Sequence, residues 1–426
     1  MAKPTCEYCG RCLSVCPSYK HFLVETMSPR ARVDLIKGVA DGSLRPTARY
    51  AESLAGCLQC LACTDICGKG VDGAQTVLEA RLAQGMGKQT FARRVERWVT
   101  SFLLPRRTLL TWLVRAGAWL QWALPAECRG TVRHLPDALS GLAGQRSLPV
   151  LAKKSLFALL PEVIPASADV PARGPVALFS GCFGGVVSVG ASLRLVRALS
   201  ARGYTVHVPR AQSCCGAPAL LSGFGDAFAA SQRQNAAVFA ALPNMPVLTL
   251  CATCHRTLSR EYTDAGQPLA ARIVDAALFL RRHDAAQAGS ALSVPEMRAL
   301  PETVRRIRAD RPVSVADPLL VTVHDPCHLR LDPQVGQALR AAVAARPWLK
   351  LVELPTPGLC CGGGGISSLK NPEVAEELGE ARARAVLATG ADVVIAECPG
   401  CVLQLNNHLS RLHSAVRACH PLELLG

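Results

Sequence analysis

Short apolar runs and amphipathic segments alternate along the chain from residue 174 onward. The runs PVALFS, YTVHVP and MPVLTL have the length and side-chain types that are typical of buried strands. The segments between them, VSVGASLRLVRALSARG and DAFAASQRQNAAVFAALP, are rich in Ala and Leu and predict helices. Strands that alternate with helices in this way predict βαβ units and a parallel sheet.

The same pattern occurs a second time between residues 318 and 401. There PLLVTVHDPC corresponds to PVALFSGC, LKLVELPTPGLCCG to YTVHVPRAQSCCG, and ADVVIAECPGC to MPVLTLCATC. We therefore predict an internal duplication with two α/β lobes, at residues 174–318 and 319–426. Residues 257–318 have a charged, helical pattern and are expected to form a connector attached to the first lobe.

A different pattern fills residues 86–173, which we expect to be a basic, tryptophan-rich helical connector. Apolar residues recur there at helical spacing: Leu109, Trp112, Leu113, Ala116, Trp119, Leu120 and Ala123. Pro105, Arg106, Arg107 and Arg115 interrupt the apolar run well short of the roughly 20 residues that a membrane-spanning helix needs. The apolar face has three explanations at this stage: packing on its own protein, docking on a partner subunit, or contact with the membrane interface.

Composition narrows the class of protein. A length of 426 residues predicts two or three domains. The net charge is +15, and the excess is concentrated between Lys88 and Lys154, which suits anionic lipid or an acidic protein partner. No nucleic-acid-binding signature accompanies it, so we expect no nucleic-acid partner. The N-terminus MAKPTCEYCGRC has no apolar run, so we expect no signal peptide and a cytoplasmic location.

The chain has 20 cysteines, and in a reducing compartment such clusters indicate metal ligands rather than disulfides. The first eight lie within residues 1–85 as two C-x2-C-x2-C-x3-C runs, in which the fourth cysteine serves the other cluster of a two-cluster ferredoxin. The two predicted ligand sets are Cys6, Cys9, Cys12 and Cys67, and Cys57, Cys60, Cys63 and Cys16. Zinc does not explain two runs of four. The helix-like SPRARVDLIKGVADG between the runs resembles the α-helical ferredoxins, although Gly68 stands where proline is usual.

Ten further cysteines form one set of five in each predicted lobe. They are Cys182, Cys214, Cys215, Cys251 and Cys254 in the first lobe, and Cys327, Cys360, Cys361, Cys398 and Cys401 in the second. In each lobe a single cysteine ends a strand, an adjacent pair follows the next strand, and a CxxC opens a helix. Parallel sheets gather such positions at their carboxyl edge. Glycines after each pair allow the backbone to approach the sulfur atoms and donate N–H groups to them.

Two repeats of C-x(31-39)-CCG-x(35-36)-CxxC behind a two-cluster ferredoxin pattern resemble the CCG-domain iron–sulfur proteins. This family includes the iron–sulfur subunits of glycolate oxidase and D-lactate dehydrogenase, the anaerobic glycerol-3-phosphate dehydrogenase small subunit, and heterodisulfide reductase subunits. SPRARVDLIKG, GVD and HDPCHLR add to the resemblance. It implies an α+β multidomain fold, two [4Fe-4S] cubane clusters, and one or two non-cubane CCG-type [4Fe-4S] clusters held by five cysteines. Zinc in one lobe stays open.

The resemblance also implies a function. GCFGG and GGGG do not match a dinucleotide-binding fingerprint, and no Ser/His/Asp arrangement stands out, so we expect no substrate site within the chain. The expected role is an electron-transfer subunit of a flavin-dependent 2-hydroxy-acid dehydrogenase complex. Its partners would be an FAD-binding subunit and quinone or another acceptor, with peripheral contact at the inner face of the membrane.

Three alternatives remain open from the sequence. A CCG cluster could reduce a disulfide or quinone directly, as in heterodisulfide reductases. The chain could instead be the small subunit of an anaerobic glycerol-3-phosphate dehydrogenase, or both lobes could bind structural zinc. His255, His324 and His328 flank predicted ligands, and we expect them to hydrogen-bond around the metal rather than bind it. Cys128 and Cys419 lie outside every motif and are expected to be ordinary thiols.

Overall fold

The structure is a computed structural model, and it describes residues 5–84, 90–121, 131–132, 148–187, 189–285, 313–356, 358–364 and 371–425. The α-helices are α1 Pro17–Phe22, α2 Pro29–Ala40, α3 Ala48–Ala55, α4 Ala62–Asp65, α5 Gly73–Gln84, α6 Phe91–Trp98, α7 Arg107–Gln121, α8 Leu156–Leu159, α9 Val189–Ala201, α10 Ala217–Leu221, α11 Gly225–Ala240, α12 Ala252–Arg256, α13 Gln267–Ala270, α14 Ala276–Ala285, α15 Pro333–Ala344, α16 Pro372–Ala388, α17 Pro399–Arg411 and α18 Pro421–Leu425. The strands are β1 Thr131–Val132, β2 Leu148–Pro149, β3 Val163–Ile164, β4 Gly174–Phe179, β5 Tyr204–His207, β6 Val247–Thr249, β7 Ile273–Asp275, β8 Leu319–Val323, β9 Leu349–Leu351, β10 Val393–Ile395 and β11 Arg417–Cys419.

Helices alone build the described part of the N-terminal region, as expected for an α-helical ferredoxin domain. The Ser28 side chain caps α2 by accepting a hydrogen bond from the Ala31 amide, and Pro29 occupies the first helical position, where its missing N–H costs nothing. Helices α2 and α5 pack together, and α3 completes a small core around the fully buried Leu54. These helices bring the two cysteine runs, which lie about 50 positions apart in sequence, onto one body.

The first lobe contains a five-stranded sheet in the order β3-β5-β4-β6-β7. Strands β5, β4, β6 and β7 are parallel, and the edge strand β3 is antiparallel to β5. Buried Leu, Val and Phe side chains cover both faces of the sheet, which explains the continuous apolar runs in β4 and β6. Strand β3 comes from the segment expected to be a connector.

The second lobe contains a four-stranded parallel sheet in the order β11-β10-β8-β9. This is the order of β7-β6-β4-β5 in the first lobe, so the duplication extends to the topology of the sheets. The sequence pattern did not reveal β7 and β11. Their sequences, IVD and RAC, each contain a charged residue and do not belong to a longer apolar run such as MPVLTL around β6 or ADVVIA around β10.

The segment between the ferredoxin domain and the lobes forms α6, a π-helical turn at Val99–Leu103, and α7. The predicted helix is present, but Trp112 and Trp119 are 68% and 77% exposed, whereas Ala118 faces inward and is buried. Trp122 and Cys128 lie outside the described residues. Within the described ranges, every helix is too short or too polar to cross a membrane.

Candidate metal centres

The two ferredoxin-type cysteine runs fold into the same backbone shape. In each run the residue before the second cysteine is left-handed, with φ of 55° at both Tyr8 and Gln59. The residue after that cysteine is left-handed as well, with φ of 78° at Gly10 and 63° at Leu61. Non-glycine residues adopt this conformation only at an energetic cost. The repeated shape therefore indicates that the same constraint acts on the backbone of both cysteine runs.

One of the two predicted cubane ligand sets lines a single cavity. Cys16, Cys57, Cys60 and Cys63 surround it, together with buried apolar residues such as Leu61. The first of these cysteines comes from the first run and the other three from the second run. Their thiols are soft donors of the kind that iron–sulfur clusters use, so the residues present fit such a cluster, although its binding here stays a prediction.

The other predicted cubane set lies nearer the protein surface. Cys9 is exposed, whereas Cys6, Cys12 and Cys67 are half-buried. The thiols of Cys6 and Cys12 are close enough to interact electrostatically, and burial raises the pKa of Cys12. The sulfur of Cys67 accepts a hydrogen bond from the Val71 amide at 3.3 Å. This second site is therefore the more accessible of the two.

In the first lobe the five cysteines meet beyond the carboxyl ends of β4, β5 and β6. Neighbouring thiols are close enough to influence one another's pKa in the order Cys182–Cys214–Cys215–Cys254–Cys251. Hydrogen bonds from Cys214 and Cys254 lower the pKa of Cys215 to about 6. The pKa of the other four thiols of the set is raised, so the thiolate that a metal binds is most favoured at Cys215.

The five cysteines of the second lobe converge in the same way, and the charges of Arg330 and Arg382 lie near them. The sulfur atoms of Cys327 and Cys360 lie 3.8 Å apart, and the Gly362 amide donates to the Cys360 sulfur at 3.3 Å. A hydrogen bond from Cys327 lowers the pKa of Cys360. The thiol of Cys401 lies close to those of Cys361 and Cys398, which together with burial raise its pKa. Every cysteine in the described residues is a free thiol.

A glycine after each cysteine pair is required by the backbone. Gly216 and Gly362 have φ of 84° and 76°, in the left-handed region that favours glycine. A Cβ on Gly362 would lie 2.6 Å from the carbonyl oxygen of Ala375, so the loop also packs too closely for a side chain. The expected close approach of backbone to sulfur is present at this position.

The two cysteine sets of the lobes touch each other. Cys251 stands at the N-terminus of α12 and Cys398 at the N-terminus of α17, and their thiols are close enough to shift each other's pKa. The amide of Ala252 donates to the carbonyl oxygen of Glu397 at 2.9 Å, which holds the two helix starts face to face. Neither the spacing nor the periodicity of the sequence indicated this contact.

The ferredoxin domain packs against both lobes. The thiol of Cys60 lies close enough to Cys327 and Cys360 for their charges to interact. Arg256 of the first lobe and Arg330 of the second donate hydrogen bonds to the carbonyl oxygens of Gln59 and Cys60. The more buried cubane site is therefore adjacent to the second-lobe site.

The three flanking histidines have different surroundings. His328 hydrogen-bonds through Nδ1 to Thr253 at 2.9 Å and also bonds the backbone of Gln59. His255 Nε2 lies 3.8 Å from a carboxylate oxygen of Asp332. His324 has no hydrogen-bond partner among the described residues and faces the second-lobe thiols.

Sequence reasoning missed one charged group at this site. Arg382 of α16 is 3% exposed, and its positive charge interacts with the thiols of Cys360, Cys361 and Cys401. A signal was available, since Arg382 stands on the apolar face of the helix with Val374, Ala375, Gly379, Ala383 and Val386. Arginine is almost never fully buried unless it is paired, so an arginine in an otherwise apolar stripe indicates a buried charge that interacts with other groups.

Comparison with known proteins agrees with this architecture. Residues 4–71 match the family described as "4Fe-4S dicluster domain", and residues 176–259 and 321–406 each match "Cysteine-rich domain", CCG.

The relatives found include the "Probable glycolate oxidase iron-sulfur subunit" of Bacillus subtilis, 28% identical over 99% of this chain and 92% of the relative. The "Glycolate oxidase iron-sulfur subunit" of Escherichia coli is 24% identical over 94% and 89%. One subunit of the dihydromethanophenazine:CoB--CoM heterodisulfide reductase of Methanosarcina barkeri is 20% identical over 100% and 93%. The resemblance inferred from the cysteine pattern is thus confirmed at the level of domains: this chain has a 4Fe-4S dicluster domain followed by two cysteine-rich CCG domains.

Proposed function

We propose that this chain is the electron-transfer subunit of a flavin-dependent 2-hydroxy-acid dehydrogenase complex of the glycolate or D-lactate type. The names of the Bacillus and Escherichia relatives, which align over nearly the whole chain, support this class. The observation that carries the proposal is an almost continuous series of cysteines from the surface of the ferredoxin domain to the interior of both lobes.

The order of sites along this series supports a direction. The set with the exposed Cys9 is accessible to a partner, and the set with the buried Cys60 lies against Cys327 and Cys360. From there Cys361, Cys401 and Cys398 lead to Cys251 of the first lobe. Iron–sulfur clusters held by such thiolates accept and release single electrons, at potentials that burial and hydrogen bonds to sulfur adjust. We infer entry at the Cys9 side, passage through the second lobe, and exit at the first lobe.

The partner that this role requires is an FAD-binding subunit, since a flavin can take two electrons from a hydroxy acid and release them singly. The final acceptor would be quinone or another oxidant. Trp112 and Trp119 on α7, with the exposed Arg106 and Arg115 nearby, support docking on an anionic membrane surface. Tryptophan rings settle at the headgroup level and arginine attracts anionic lipid, so this face matches a membrane better than an acidic peptide.

A second function has one specific observation in its favour. The two lobe sites meet at Cys251 and Cys398, so two adjacent centres would together supply the two electrons that reduction of a disulfide requires. In that case the isolated chain would itself reduce a disulfide, as the name of the Methanosarcina relative suggests for a related protein.

The deciding experiment is an anaerobic pull-down with the tagged, full-length chain, followed by EPR of the recovered complex. We expect a copurified flavoprotein, at least about eight irons per chain for the two cubane sites, and reduced cluster signals after addition of glycolate or D-lactate. Glycerol-3-phosphate serves as the matched substrate control. Recovery of the chain alone, with disulfide reductase activity and no response to hydroxy acids, would favour the second function.

A further inference from the structure

His324 occupies an unusual position in the second lobe. It directly follows strand β8, its side chain is 0% exposed, and neither ring nitrogen has a hydrogen-bond partner within the described part of the chain. One of its ring nitrogens and the sulfur atoms of Cys361 and Cys401 all lie within 4.8 Å of one another. The imidazole therefore points at two predicted metal ligands.

Leaving both nitrogens of a buried imidazole unpaired is costly, because each loses its hydrogen bonds to water. Two other buried histidines in the described ranges, His420 and His328, avoid this cost. His420 bonds the carbonyl oxygen of Leu250 at 2.9 Å, and His328 bonds Thr253. A neutral imidazole keeps a lone pair on one ring nitrogen, which a metal ion can bind.

The corresponding position of the first lobe has a different side chain. The residue that follows β4 is Ser180, and both its amide and its hydroxyl donate to the side-chain oxygen of Gln212, at 2.9 and 3.3 Å. The amide of Gly181 donates to the same oxygen at 3.4 Å. At the same point of the duplicated sheet one lobe has a satisfied amide network and the other has an unsatisfied histidine.

We propose that His324 is a metal ligand of the second lobe, bound with Cys361 and Cys401 to a single iron or zinc ion of the centre. Nitrogen and sulfur atoms bound to one such ion lie about 3.5 to 3.8 Å apart, which agrees with three donors that all lie within 4.8 Å. Cys327 and Cys360, at 3.8 Å, form a second pair with single-ion spacing. This inference rests on metal occupancy of the second lobe and not on the identity of the partner.

The inference makes the two lobes chemically different. The second lobe keeps five cysteines, as the first lobe does, so His324 adds a neutral nitrogen donor to the same number of thiolates. The first lobe has Ser180 at this point, so the two centres differ by one donor atom.

The test uses the anaerobically purified full-length chain with its metals, prepared with 15N-labelled and unlabelled histidine. Pulsed EPR of the reduced protein should show a strongly coupled histidine nitrogen in the wild type. That coupling should disappear in His324→Ala and in His324→Cys, which supplies a thiolate instead. His328→Asn removes a neighbouring imidazole that has its own partner in Thr253, so it should keep the coupling.

X-ray absorption at the iron and zinc edges covers the case in which the second lobe holds zinc, which gives no EPR signal. An imidazole scattering contribution should be present in the wild type and in His328→Asn, and absent in both His324 variants. If the wild-type protein has full metal content but shows neither signal, or if the signals survive in His324→Ala, His324 is not a ligand. That outcome would leave the proposed electron-transfer function untouched, because it is tested by partner capture and substrate reduction.

Discussion

Thr253 Oγ1 lies 2.9 Å from Nδ1 of His328. Thr253 stands between the two cysteines of the first-lobe CxxC, and His328 directly follows Cys327 of the second lobe. The same histidine bonds the backbone of Gln59, which stands between two cysteines of the ferredoxin domain. One imidazole thus contacts the ligand-bearing loops of both lobes and of the ferredoxin domain.

Replacing Thr253 by Val should weaken this junction. The buried Nδ1 of His328 would lose its partner, which costs about 1–3 kcal/mol of unfolding free energy. Urea unfolding of the anaerobic protein measures the change, and Thr253→Ser, which keeps the hydroxyl, should restore most of it. Equal stability of the Val variant and the wild type would show that the bond has no energetic weight.

The glycine that follows the second cysteine pair gives a sharper test of the loop. Any residue that replaces Gly362 must adopt φ of 76°, and its Cβ would overlap the Ala375 backbone. A Cβ on Gly364, in contrast, would have no atom within 4 Å. Gly362→Ala should cost at least about 1–2 kcal/mol from its φ alone, and should lower the metal content of the second lobe. Gly364→Ala is the matched control and should bind metal as the wild type does. Metal analysis and urea unfolding of both variants decide the point.

Much of this site could be predicted from the sequence, because the cysteine motifs mark the ends of strands. The double cysteines and CxxC motifs follow apolar runs, and the carboxyl ends of parallel strands converge whatever the details of packing. The order of the cysteine sets therefore predicted which thiols would meet inside each lobe. The shared fold of the two lobes followed from the repeat in the same way.

What the sequence left hidden are contacts between repeats. The contact between Cys251 and Cys398 joins residues 147 positions apart, and no local period encodes such a contact. Strands β7 and β11, with the sequences IVD and RAC, do not lie in a longer apolar run, so they gave no pattern. The burial of Arg382 depends on the neighbouring loop at Thr356 and Leu359, which a single helix cannot reveal.

Arg382 provides a prediction about redox potential. Its guanidinium donates to the carbonyl oxygens of Thr356 and Leu359, each at 2.6 Å, and lies near three second-lobe thiols. A buried positive charge stabilises the more negative, reduced centre. Arg382→Gln should therefore lower the reduction potential of that centre, and Arg382→Lys should recover part of the loss.

An EPR-monitored redox titration measures this shift. Arg384→Gln is the control, because Arg384 stands on the same helix but is exposed and pairs with Glu380. We expect its potential to match the wild type. A potential that stays constant in Arg382→Gln, with the metal retained, would mean that solvent or other charges compensate for the arginine.

The exposed face of α7 gives a prediction about membranes. Replacing Trp112 and Trp119 together by Ser should reduce cosedimentation with phosphatidylglycerol-containing vesicles, and added salt should weaken binding of the wild type. Leu23→Ser is the control, since Leu23 is 75% exposed on the ferredoxin domain, away from this helix. If the wild-type protein does not cosediment with anionic vesicles, the exposed face of α7 would instead dock on a protein partner.

Asp275, at the end of β7, should make stability depend on pH. The side chain is 0% exposed, Oδ1 accepts hydrogen bonds from the amides of Ala277 and Leu278, and burial raises the pKa of the carboxyl to about 7. In the unfolded chain the pKa of this carboxyl is about 4. Between about pH 4 and about pH 7 the folded protein therefore binds one more proton than the unfolded chain. The free energy of unfolding is highest at the acidic end of this range and falls as the pH rises through about 7.

Asp275→Asn keeps the oxygen that accepts from the two amides but cannot ionise. Between pH 5.5 and pH 8 we expect the wild type to lose more unfolding free energy than this variant, by up to about 1.4 kcal/mol for each pH unit below the folded pKa. Urea midpoints of both proteins across this range provide the measurement. The difference should level off above pH 8, where the carboxyl is ionised in both states. Parallel pH profiles for the two proteins would show that Asp275 does not take up a proton on folding.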